Sequence, residues 1–177
     1  MLSVVSWVIL QGWLYSFGKL DHTFAPFTMV SFCIPFVSYE LYRARFQKET
    51  IPLEIYRYIA LAVVLPYFLS GLEKLSVSGF SWADGSTLAF YLRLHGQAWG
   101  IWLAEHWFLC LLFSLATLFF QLSSLLVLFF PFWRYVFVVL GVFFHLSTYI
   151  FMGVGGWVSP WLLDYVFLFL KPYPKNN

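Results

Sequence analysis

Lys74 closes a long apolar run, and Tyr67, Ser70 and Gly71 precede it by seven, four and three residues. On a 3.6-residue repeat these four positions share one helix face. Burial disfavours an ammonium, so a lysine partly withdrawn from water can serve as a general base. The competing reading is a lysine that reaches from a helix end to the headgroup layer. A Gly/Ser loop then leads to Trp82-Ala83-Asp84-Gly85, which places an aromatic side chain beside the lysine. His145 is the other ionisable group set in an apolar run, with Ser147, Thr148 and Tyr149 close behind it. Such a residue is either part of a functional site or a neutral hydrogen-bonding link between helices. Ser114, Thr117, Gln121 and Ser124 recur at the spacing of one helix face. They form a polar stripe suited to helix packing or to a substrate path.

These residues are embedded in a chain of 177 residues that is 62% hydrophobic, 24% aromatic and 10% charged. Soluble domains carry roughly 25% charged residues, so the solvent for this chain is lipid. A membrane-spanning backbone must satisfy its own hydrogen bonds, which leaves helical bundles and closed barrels. The apolar runs are continuous and lack a two-residue alternation, which excludes a barrel. The expected fold is an all-α polytopic bundle of about five transmembrane helices plus a short C-terminal helix, forming a single domain over 1–177. The spans expected are 2–17, 27–42, 53–75, a long run 99–130 that begins as an interfacial turn, and 136–152, with a last helix at 161–170. A short interfacial helix is expected at 88–94.

Arg43, Arg45, Lys48 and Arg57 cluster between the second and third spans. By the positive-inside rule the Arg43–Arg57 loop is cytoplasmic and the Lys74 end extracytoplasmic. The net charge of +2 gives no reason to expect a nucleic-acid partner. The partners implied are membrane lipid, an amphiphilic small molecule and a second membrane chain. Cys33 and Cys110 lie in apolar runs and read as small hydrophobes, not as a disulfide. Asp21-His22 and Glu105-His106 are acid–histidine neighbours. Adjacent helical residues diverge by about 100°, so neither is a ready dyad. No His, Cys or carboxylate spacing resembles a metal site.

Tyr67-Phe68-Leu69-Ser70-Gly71-Leu72-Glu73-Lys74-Leu75 followed by Trp82-Ala83-Asp84-Gly85 resembles a signature of the vitamin K-dependent gamma-carboxylase-like family. That family is also called the HTTM (horizontally transferred transmembrane) domain. Phe143-Phe144-His145-Leu146 running to Met152-Gly153 is similar to a later helix of the family, and Gln121 sits where the family often places a carboxylate. The resemblance covers 51–170. It implies Lys74 as the base that deprotonates a reduced vitamin K-type hydroquinone or other quinol, and His145 as a second site residue. Tyr67, Trp82, Gln121 and Tyr149 are then the substrate-binding candidates. The chain has one or two helices fewer than the family pattern at its start and ends where a lumenal domain would follow. The expected substrate is therefore a quinol or similar lipid-soluble molecule, not a protein glutamate. The short Gly-Leu-x-Lys element is also similar to DoxX-like redox accessory proteins, and a non-catalytic membrane module or assembly partner is the remaining alternative.

Overall fold

A computed structural model describes residues 53–154 and 160–169, together with 38, 39, 42, 43 and 46. The first expected span, 2–17, lies outside the described residues, and of the second, 27–42, only 38, 39 and 42 are described, all helical. All regular structure among the described residues is helical. α1 is Leu53–Ser78, α2 is Ser86–His95, α3 is Ala98–Ala104, α4 is Trp107–Ser123, α5 is Trp133–Met152 and α6 is Pro160–Asp164. Short 3-10 segments follow three of them, at Gly79–Asp84, Ser124–Leu128 and Tyr165–Phe169. Among the described residues, three helical stretches are long and apolar enough to cross a membrane: Leu53–Asp84, Trp107–Leu128 and Trp133–Met152. The sequence expectation of five spans is thus met for these three, within a residue or a turn at most ends.

The long apolar run 99–130 resolves into two helices. α3 stops at Ala104, and Glu105 and His106 form the turn before α4. His106 Nδ1 lies 2.8 Å from the Trp102 carbonyl, and its ring packs on Trp102 with centroids 4.3 Å apart. The histidine is therefore engaged with its own turn and makes no dyad with Glu105.

The chain divides into two compact units. The larger, residues 64–159, contains α1 from Val64 onward with α2 to α5. Its α2–α3 hairpin is closed by Arg93 Nη2 donating to the Ala104 carbonyl at 3.3 Å. Ala89, Leu92, Leu103, Ala104 and Cys110 form its buried apolar centre, with Phe113, Phe151 and Met152 packed on it. Gly100 lets α3 lie against the end of α5, since a Cβ there would stand 2.1 Å from the Phe151 carbonyl oxygen. Gly85 has φ of 87° and sits against the α4 backbone, where a Cβ would be 2.6 Å from Leu111 N. Both a left-handed backbone and the close approach require glycine at that turn. α1 and α4 are tied by Ser124 Oγ donating to the Val64 carbonyl at 3.2 Å, and α5 to α4 by Trp133 Nε1 donating to the Ser123 carbonyl at 2.9 Å.

The smaller unit comprises residues 1–63 and 160–177. Within it Tyr56 Oη donates to the Leu168 carbonyl at 3.2 Å, joining the first turns of α1 to the C-terminal 3-10 segment.

Candidate functional site

α1 runs through Pro66 and carries Tyr67, Ser70, Gly71 and Lys74 in the expected stripe. Lys74 Nζ donates to Ser70 Oγ at 2.8 Å and approaches the Ser70 carbonyl at 3.4 Å. Gln121 Nε2, from α4, donates to the same Ser70 Oγ at 3.3 Å. The lysine nitrogen and the amide are therefore no more than about two hydrogen-bond lengths apart. The Gly79–Asp84 segment folds Trp82 back over the end of α1, with Lys74 Nζ 5.2 Å from the ring centroid. At that distance the indole face attracts the lysine in its protonated form. Gly71 is the small residue at this contact: a Cβ would meet Gln121 Cβ at 3.1 Å and Leu122 Cδ2 at 3.0 Å.

Gln121 is 4% exposed, and its Oε1 has no hydrogen-bond partner among the described residues. A buried amide oxygen without a donor costs about 1–3 kcal/mol, which makes it a natural place for a ligand hydroxyl. Lys74 is half-buried and carries three N–H donors, of which Ser70 takes part.

His145 belongs to a second cluster. Its Nε2 lies 2.8 Å from Tyr67 Oη, and which atom donates depends on the imidazole tautomer. Tyr67 is 3% exposed and stands edge-on to Phe120 and Phe137, with centroids at 5.1 and 5.3 Å. Tyr67 and Lys74 are separated by roughly 10 Å along the helix axis. Lys74 and Tyr67, the partner of His145 on α5, thus occupy successive stations on one face of α1, and the two sequence-predicted catalytic candidates, Lys74 and His145, do not share a hydrogen bond.

The polar stripe of α4 does two jobs. Ser124 and Gln121 meet α1, at Val64 and Ser70. Thr117, one turn further, lines a cavity of about 150 Å³. Ser114, a turn beyond that, is fully buried and its hydroxyl has no partner among the described residues. The cavity lies among α2 to α5, open on one side, and is lined chiefly by Leu92, Leu103, Phe113, Phe120, Phe144 and Phe151. Lys74, Gln121, His145 and Tyr149 are not among its lining residues. Tyr149 lends its carbonyl to the Gly153 N–H that ends α5. The six residues singled out from sequence therefore fall into a Lys74–Trp82–Gln121 group, a Tyr67–His145 pair, and Tyr149 apart from the cavity.

Two features had no strong sequence signal. Ser70 is the common acceptor that joins Lys74 to Gln121, and its spacing from Lys74 was visible but not its role. Asp164, in α6 and outside the three candidate spans, is 1% exposed, with neither carboxylate oxygen paired among the described residues. Burial pushes its carboxyl up to about 7. A lone Asp in an apolar segment was the available signal. No group of three His, Cys, Asp or Glu side chains that could hold a metal occurs among the described residues.

Compared with family profiles, curated proteins and solved structures, the chain matches none.

Proposed function

We propose that this is a multi-pass membrane protein in which Lys74 acts as a base toward a weakly acidic hydroxyl of a lipid-soluble amphiphile, of the quinol type. The observation that carries the reading is the Lys74–Ser70–Gln121 junction beneath the Trp82 ring. It combines an amine, a buried acceptor in Gln121 Oε1 that has no partner among the described residues, and an aromatic wall at one end of a membrane-length helix. The ligand hydroxyl would sit between Gln121 and Lys74. Its proton passes to Nζ of the neutral lysine, the O–H bond breaks, and the oxygen keeps the electron pair as an oxyanion facing the new ammonium. Trp82 stabilises that ammonium through its ring face. Membership of the gamma-carboxylase-like group, resting on the motif around Lys74, belongs to the same proposal, as does an extracytoplasmic position for the Lys74 end.

The test is quinol binding by the purified protein in lipid nanodiscs. Lys74→Ala is expected to weaken it at least tenfold, and an unchanged affinity overturns the base reading.

A second reading is favoured by one observation: the cavity is not lined by Lys74, Gln121 or His145. In that reading the chain is a non-catalytic membrane module whose lysine anchors the α1 end. It predicts that Lys74→Ala is silent in every ligand assay and lowers only stability.

A further inference from the structure

We infer that the α2–α5 cavity is a second ligand site, built for a ring-sized apolar group that carries one oxygen, of the phenol class. The volume comes first. At about 150 Å³ the cavity equals the size of an apolar protein cavity that stays dry and admits one benzene ring. Leu and Phe side chains dominate its lining, with no charged residue among them.

The lining also contains Thr117 from α4 and Ser147 and Thr148 from α5. Thr148 Oγ1 is already used, donating to the His145 carbonyl at 2.9 Å. The hydroxyls of Thr117 and Ser147 make no hydrogen bond to another described residue. Helical serine and threonine hydroxyls commonly bond back to the preceding turn's carbonyl. Here two of them, on different helices, line the same apolar space without doing so. A mostly apolar pocket with a few polar groups from separate elements is the pattern of a small-molecule site, the polar groups fixing orientation. A ring bearing one hydroxyl matches both the space and the hydroxyls, whereas a bare hydrocarbon leaves the hydroxyls unused.

Access is from the lipid. Phe143 lines the cavity and is 63% exposed on α5, and Ala116 lines it from an exposed position on α4. Both belong to candidate membrane spans, so a ligand dissolved in the bilayer reaches the cavity without crossing water. The site goes beyond the Lys74 role and does not depend on it.

The test uses the full chain in nanodiscs and fluorine NMR of two probes, 4-fluorophenol and fluorobenzene. The wild type is expected to bind both saturably and to prefer 4-fluorophenol by about tenfold, the value of one or two added hydrogen bonds. Combining Thr117→Val with Ser147→Ala is expected to reduce that preference to within about twofold while fluorobenzene affinity holds. Ser147→Phe fills the cavity and is expected to abolish binding of both; the double variant decides the matter if this one fails to fold. Absence of saturable binding to the wild type overturns the site. Equal affinity for the two probes makes the cavity a plain acyl-chain slot and overturns the ligand class. Survival of the preference in the double variant overturns the location.

Discussion

Tyr67 and His145 place two polar side chains inside an apolar bundle, and their partnership separates structure from chemistry at the scale of single residues. Tyr67→Phe keeps the ring against Phe120 and Phe137 and removes only the hydroxyl 2.8 Å from His145 Nε2. The imidazole then loses a buried partner, and stability falls by about 1–3 kcal/mol in thermal unfolding. If the pair only links helices, quinol binding is unaltered. Asp164 supplies a pH prediction. Its carboxyl is raised to about 7 by burial, above the ordinary value of about 4 for an unfolded chain. The folded state therefore holds the proton more tightly, so the stability this group contributes is full below about pH 4 and is lost as pH rises through about 7. Asp164→Asn is expected to flatten that slope and to stabilise the protein by roughly 2–4 kcal/mol at pH 8, read by denaturation across the pH range. A slope unchanged by the substitution contradicts the assignment. The lysine and histidine stood out in the sequence because each interrupts apolar character. Their separation into two clusters did not, because helix periodicity orders residues along one face but does not say which neighbouring helix meets each of them.

Among the elements, α1 and the α2–α3 hairpin do most to shape the site. α1 carries the stripe, and the hairpin closes one side of the cavity through Leu88, Leu92 and Leu103. Gly100 is the hinge of that closure, since any Cβ collides with the Phe151 carbonyl at 2.1 Å. Gly100→Ala must push α3 off α5, at about 1–3 kcal/mol for overpacking. The expected result is a lowered unfolding temperature and weakened fluorobenzene binding together. Ala98→Ser, at an exposed position on the same helix, is expected to change neither. Helix extents were legible from hydropathy and from the Gly, Pro and Ser breaks. The break at Glu105-His106 was legible as polarity inside an apolar run, but not as a helix end. The Ala104 boundary is set by tertiary contacts, among them Arg93 reaching the Ala104 carbonyl. The cavity had no sequence signal at all, because it arises from how four helices fail to fill a space.

For the whole molecule, composition points to the membrane, and three helices of spanning length among the described residues agree with it. The orientation is a separate prediction that rests on the Arg43–Arg57 cluster. In a background with Cys33→Ser and Cys110→Ser, Lys48→Cys is expected to resist an impermeant thiol reagent in intact cells. Ser81→Cys, just past α1, is expected to react. The opposite pattern inverts the topology and places Lys74 on the cytoplasmic side.

The central claim is that Lys74 takes a proton from a membrane-soluble quinol. The most direct measurement is the oxygen-consumption rate of nanodisc-embedded protein with a long-tailed naphthoquinol, too large for the 150 Å³ cavity. A quinolate is oxidised by dissolved oxygen faster than the neutral quinol, so the rate reports deprotonation. The wild-type rate is expected to stand at least tenfold above empty nanodiscs, to fall to that background in Lys74→Met, and to be unchanged when Thr117→Val and Ser147→Ala are combined. A wild-type rate at background, or a Lys74→Met rate equal to the wild type, contradicts it.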